Sequence, residues 1–268
     1  ILMAAIHGRA ATHGIKTVLP HIADAGAPVL PSIATRTPWY CAGCPHNSST
    51  KLPDGEVVGM GIGCHSISGF LTPDDITNFT QMGGEGAFWI GRSPFSSHNH
   101  SFQNIGDGTY AHSGYLGIRA AVASGVNMTF KILYNGAVAM TGGQAVEGGQ
   151  TPWVMSRQLA AEGIVKIAIV TDTLDDLPKD AKWANNSQIY HRRDIIKVQR
   201  ELKLIPGVTA IIYIQNCATE LRRKRKRGII ADKLEIFGSA QEDPCAHGNP
   251  DLTDNDIDVF LWYAMMNL

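Results

Sequence analysis

The residues best suited to chemistry are Gly106-Asp107-Gly108 and, after 26 intervening residues, Asn135. A carboxylate, an amide oxygen and a backbone carbonyl are hard oxygen ligands. Mg2+ takes such ligands while sharing its shell with phosphate oxygens and water. Asp107 follows a short strand expected at 101–105, and Asn135 follows one expected at 128–134, rich in branched and aromatic residues. Between them a helix is expected over about 113–124, with apolar Leu116, Ile118 and 120–123, and Gly125 placed as its C-terminal cap. Two strands joined by such a helix make a right-handed crossover and a parallel pair. Both polar residues then reach one rim of the sheet, where ligands of open α/β sheets bind. The helix N-terminus faces the same rim and favours a diphosphate. Thr141-Gly142-Gly143-Gln144 closes the stretch.

A second group consists of cysteines. Cys41-Ala42-Gly43-Cys44 forms a tight Cys-x-x-Cys, Cys64 follows a strand and glycine turn at 57–63, and Cys217 follows the apolar run 208–215. That run reads as a buried parallel strand. Four thiolates can hold a structural zinc or an iron–sulfur cluster. Zinc sites more often pair two Cys-x-x-Cys hairpins. One hairpin, a single Cys after a glycine turn and a fourth at a strand end favour a cluster wedged between loops, with zinc left open. His46 and His65 neighbour these cysteines and read as metal ligands or tuners, or, more often for such residues, as outer partners or exposed side chains. Cys245, in an acidic loop, has no assignment.

The remaining elements position these groups. Residues 79–89, with Gly83-Gly84-Glu85-Gly86, form a glycine-rich loop suited to a cofactor wall. Gly61-x-Gly63 is a poor dinucleotide fingerprint because Ser66 stands where a third glycine belongs. A mobile loop is expected at 145–152, a helix at 153–161, a strand at 165–170, a loop at 171–188 and a charged helix at 190–204, ended by Pro206-Gly207. The basic run 222–227 reads first as a solvated face and second, beside Cys217, as a surface that attracts an acidic partner or phosphates. Residues 1–34 read as an N-terminal linker or helix, 35–228 as one binding domain, and 229–268 as a divergent tail. His7-Gly8-Arg9 falls in the first of these and receives no role.

Composition narrows the partners. The formal charge is −1 and hydrophobic residues make up 44%, so whole-chain electrostatics predict neither nucleic acid nor membrane. No apolar run approaches the ~20 residues that span a bilayer. Five cysteines, two of them in a Cys-x-x-Cys, point to a reducing compartment, the cytoplasm. The first residues lack the basic flank of a signal peptide. The chain does not begin with Met and is expected to be a fragment or one subunit.

Gly-Asp-Gly followed about two dozen residues later by Asn is similar to the thiamine diphosphate signature. With the cysteines, the chain over about 35–228 resembles the thiamine-binding part of 2-oxoacid:ferredoxin oxidoreductases, nearest to the fused indolepyruvate-type members. The residues carrying the resemblance are 41–47, 61–65, 80–86, 102–110, 131–135, 139–144 and 217–228. It implies an α/β fold, a largely parallel sheet with helices on both faces and cluster loops at its rim. It implies that Asp107, the Asn135 side chain and the Ala137 carbonyl bind Mg2+, and that Cys41, Cys44, Cys64 and Cys217 ligate a 4Fe-4S cluster. Gly83, Gly84, Glu85, Cys64, His65, Gly106, Asp107, Gly108, Thr109, Asn135, Thr141 and Gly142 would contact the cofactor. The implied reaction is oxidative decarboxylation of an arylpyruvate, with coenzyme A taking the acyl group and ferredoxin the electrons. It needs a pyrimidine-binding partner domain or subunit, hence an oligomer. No catalytic side chain is assigned. The rivals are a zinc-stapled structural or interaction domain and a non-redox thiamine diphosphate decarboxylase.

Overall fold

Branched and aromatic runs build the centre of the sheet. The computed structural model describes residues 37–141 and 143–230. Its main sheet has seven strands: β1 (Val58–Met60), β2 (Ile76–Phe79), β3 (Ser101–Gly106), β4 (Met128–Tyr134), β7 (Ile167–Thr171), β8 (Ser187–His191) and β9 (Val208–Ile214). Their order is β2-β1-β3-β4-β9-β7-β8, and every pairing is parallel. A small antiparallel pair, β5 (Ala137–Val138) and β6 (Gln144–Ala145), lies outside this sheet. The near-continuous apolar reading of β4, β7 and β9 follows from burial on both faces.

Seven helical segments matter here: α1 (His46–Ser49), α2 (Ser68–Leu71), α3 (Ala87–Arg92), α4 (107–124), α5 (Pro152–Ala161), α6 (Ile195–Leu202) and α7 (Ala218–Lys226). One face of the sheet packs Ile105, Phe130, Ile132, Ile169 and Ile212 against Trp89 of α3, Ile118 and Ala121 of α4, and Met155 and Leu159 of α5. The opposite face packs Leu133, Val170, Ile211 and Tyr213 against Ile195, Val198 and Leu202 of α6. The expected α/β architecture, a parallel sheet with helices on both faces, is therefore the observed one. No helix among the described residues is long and apolar enough to cross a membrane.

Three local expectations are corrected. The helix after β3 starts at Asp107, not Ser113; it is α-helical at Asp107–Thr109, π-helical at Tyr110–Gly114 and α-helical at Tyr115–Ser124. Gly125 caps it in the left-handed conformation, as expected. Residues 187–191, assigned partly to a loop and partly to a helix, form edge strand β8, and α6 begins at Ile195. The basic run is not a featureless surface but most of helix α7. Residues 1–36, including His7-Gly8-Arg9, and 231–268, including Cys245, lie outside the described residues, as does Gly142.

Gly117 marks the closest approach of α4 to the glycine-rich loop. A Cβ there would stand 2.4 Å from the Glu85 carbonyl oxygen. Gly117→Ala gains about 1 kcal/mol of helix propensity, but displacing buried backbone costs about 1–3 kcal/mol. The variant is expected to unfold at lower urea concentration than the parent, and a raised midpoint would show that the loop yields freely.

Candidate functional site

Strand order reverses between β1 and β3. From β1 the chain places β2 on one side, then returns to lay β3 and β4 on the other. A crevice at the C-terminal ends of strands that wind apart is where open α/β sheets take ligands. Cys64 lies just beyond β1, Asp107 beyond β3, Asn135 beyond β4 and Cys217 beyond β9. Both groups picked from the sequence thus occupy one rim.

Asp107 ties this rim together. It is 4% exposed. Its Oδ1 accepts from the Gly108 N–H at 2.9 Å, and its Oδ2 accepts from Asn135 at 3.0 Å and Gly136 at 2.7 Å. Burial pushes the carboxyl pKa up, and these backbone N–H groups oppose the rise. A nearby cation would favour the ionised form that burial disfavours. Asn135 Oδ1 accepts from the Ala137 N–H at 2.9 Å, with Gly136 left-handed between them. Both side-chain oxygens keep lone pairs for a further partner, so the set fits Mg2+ bearing a diphosphate. Thr109 is buried beside Asp107 on the first turn of α4. The π-helical segment that follows is of a kind often found at functional sites.

The β5–β6 hairpin forms the outer edge. Gly143 N–H donates to the Val138 carbonyl at 2.9 Å, and Thr141 Oγ1 donates to Gln144 Oε1 at 2.9 Å. A Cβ on Gly143 would lie 2.3 Å from Glu220 Oε2 and 2.7 Å from Arg223 Nη1, so α7 closes against this loop.

The inner wall is the loop 83–86. Gly83 N–H donates to Glu85 Oε2 at 2.7 Å, and Gly86 N–H donates to Gln103 Oε1 at 3.1 Å. Glu85 is fully buried, and its Oε1 has no partner. That oxygen lies where a Cβ on Gly61 would be. Burial pushes the Glu85 carboxyl up, more than the backbone donors of the loop lower it. Glu85 therefore stands at the crevice as a buried carboxyl whose pKa is raised above the ordinary carboxylate value. Gln103, in a strand that also buries Ser101 and Asn104, is a support that spacing did not flag.

The four thiols carry no disulfide; Cys41 is exposed and Cys44, Cys64 and Cys217 are half-buried. Burial pushes Cys44 up to about 12, and the charges of Cys41, Cys64 and Cys217 add to the rise. Cys64 is raised by burial and then by Cys217 and Cys41. The fold thus gathers the four into one electrostatic neighbourhood, although among the described residues no three His, Cys, Asp or Glu side chains are close enough to hold an ion. His46 and His65 are buried, which removes the exposed alternative. Burial lowers them to about 4 and about 3, respectively. Their rings meet edge-on at 6.3 Å, His46 Nδ1 contacts Ser49 Oγ and Gln215 Nε2, each at 3.1 Å, and His65 Nε2 lacks a partner. Arg222, read as solvated, donates from Nη2 to the Ala42 carbonyl at 2.5 Å, fastening α7 to the Cys-x-x-Cys.

Residues 61–181 match the family model of the thiamine pyrophosphate enzyme, C-terminal TPP binding domain. The chain is 25% identical over 240 residues to the indolepyruvate oxidoreductase subunit IorA of Thermococcus kodakarensis, covering 80% of this chain and 34% of that relative. It spans about a third of the length of the curated relative it matches. Among solved structures, a 2-oxoglutarate:ferredoxin oxidoreductase from Magnetococcus marinus, with 2-oxoglutarate, coenzyme A and succinyl-CoA bound, is similar at 19% identity and a TM-score of 0.49. That match covers 69% of this chain and 66% of the other. A putative thiamin diphosphate-dependent enzyme from Mycobacterium smegmatis is similar at 17% identity and a TM-score of 0.40, covering 63% and 30%. The resemblance to the TPP-binding region of 2-oxoacid:ferredoxin oxidoreductases, expected from the sequence, is borne out by the domain match and the curated relative.

Proposed function

We propose that this chain is the thiamine diphosphate- and Mg2+-binding part of a 2-oxoacid:ferredoxin oxidoreductase. The observation that carries the reading is the shared rim: Asp107 and Asn135 stand beside Cys64 and Cys217 at the ends of β1, β3, β4 and β9. When bound, thiamine diphosphate supplies the electron sink that lets a 2-oxoacid lose CO2. Asp107 and Asn135 offer oxygen ligands to Mg2+, with the Ala137 carbonyl as a third. The N-terminal turn of α4 and the loop around Thr141, Gly142 and Gly143 hold phosphate oxygens. Gly83, Gly84, Glu85 and His65 wall the crevice, and the apolar packing under it excludes water.

Cys41, Cys44, Cys64 and Cys217 are the proposed ligands of a 4Fe-4S cluster. Cys44 and Cys64 are raised first by burial and then by neighbouring cysteines of the set, and ligation of a cluster requires thiolates. The substrate class is an arylpyruvate such as indolepyruvate, converted to its acyl-coenzyme A with electrons passing to ferredoxin. A pyrimidine-binding partner completes the cofactor site. Anaerobically purified protein is expected to contain about four iron and four sulfide per chain. Its broad brown absorbance should disappear in Cys217→Ser while binding of thiamine diphosphate with Mg2+ is retained. One tightly held zinc without sulfide would instead favour a structural cysteine site.

A further inference from the structure

Helix α7 carries more positive charge than its fold requires. Arg222, Arg223, Lys224, Arg225, Lys226 and Arg227 are consecutive. Like charges meet at i,i+3 or i,i+4 in Arg222 with Arg225, Arg222 with Lys226, and Arg223 with Arg227. Each such pair costs a helix a few tenths of a kcal/mol (~0.2–0.5). Cations in the last turn complement the helix dipole, but that accounts for a few charges rather than six. Glu220 pairs with Arg223, and Arg222 is engaged by the Ala42 carbonyl. Lys224, Arg225, Lys226 and Arg227 have no side-chain partner among the described residues. A local rule broken without a compensating contact is the mark of a functional surface.

Placement says what the surface serves. Cys217 is the residue immediately before α7, and Arg222 grips the loop between Cys41 and Cys44. The helix that carries the unpaired cations therefore starts at Cys217 and is fastened by Arg222 to the loop between Cys41 and Cys44, and its Glu220 and Arg223 abut the Gly143 loop. We propose that the cationic face of α7 is the docking surface for an acidic electron-carrier protein. This rests on the reading of the four cysteines as a redox cluster. Cys41, Cys44, Cys64 and Cys217 would hold the cluster, which would supply one electron to the carrier per encounter. A cationic patch beside the donor raises the encounter rate about 10- to 1,000-fold at low salt, by steering an acidic partner to the short route.

The test uses the protein in its purified complex and an acidic 2[4Fe-4S] ferredoxin as the probe. Lys224, Lys226 and Arg227 are changed together to Gln, leaving Arg222 and Arg223 in place. Direct binding of the ferredoxin at low ionic strength is expected to weaken tenfold or more, and its salt dependence to flatten. Reduction of a small uncharged quinone should be unchanged. Parent-like binding and salt slope in the triple variant would overturn the docking surface whatever the metal content. Weakened binding in a protein that holds no cluster would keep the surface and remove the redox reading. Binding seen only after deletion of residues 231–268, which carry eight carboxylates and one lysine, would give the helix to the chain's own tail and overturn the carrier.

Discussion

Asp107→Ala is expected to abolish binding of thiamine diphosphate with Mg2+, measured by titration calorimetry on the purified chain. The carboxylate is 4% exposed and is the convergence point of three backbone donors from two strand ends. Its removal takes away the proposed anionic metal ligand and leaves Gly108, Asn135 and Gly136 N–H groups without an acceptor. Losing one partner of a buried charged contact costs about 3–5 kcal/mol, which is more than a hundredfold in affinity. The alanine variant also weakens the link between β3 and β4, so Asp107→Asn serves as the folding control. Its amide keeps the shape and one oxygen acceptor while removing the charge. A folded asparagine variant that binds the cofactor as the parent does would sink the assignment of Asp107, with or without the alanine result.

The part of the fold that holds this site was the most legible in the sequence. β4, β7 and β9 are buried on both faces, so burial favours apolar residues at most positions and leaves near-continuous runs. Gly125 marks the end of α4 because the backbone there is left-handed. The start of α4 was placed late because Gly108 and Gly114 lower helix propensity, although Gly114 lies where a Cβ would meet Ile105 at 2.4 Å. β8 was missed for the opposite reason. As an edge strand it has one neighbour, β7, and its Ser187, Gln188 and Tyr190 need not be apolar. The role of Arg222 was beyond reach of any local pattern, since its contact joins residues 180 positions apart. Motif spacing named the chemical groups on the rim; the elements that brace them came only from long-range packing.

Lys131→Met is expected to stabilise the protein by roughly 2–5 kcal/mol at pH 7 and to remove a pH dependence. Lys131 lies in the middle of β4 and is fully buried. Its Nζ donates to the Lys51 carbonyl at 3.1 Å and sits 5.9 Å from the Phe102 ring centre. Desolvation lowers its pKa from 10.5 to about 7, and no carboxylate offsets that effect. His46, the titratable neighbour, is itself held low, first by burial and then by this lysine. The unfolded chain therefore binds more protons than the folded one between about pH 7 and 10.5, so stability rises with pH across that window. Below it the full penalty of protonating a buried amine, or unfolding around it, remains. Methionine has similar length without the charge, and Gln199 Nε2 also donates to the Lys51 carbonyl at 3.1 Å, so that acceptor is not orphaned. Thiols and tyrosines titrate in the same range, so the quantity to read is the difference between parent and variant urea stabilities at pH 7 and pH 10. The difference should shrink as pH rises. A difference constant with pH would mean that the lysine keeps its proton, held by a partner stronger than the Lys51 carbonyl.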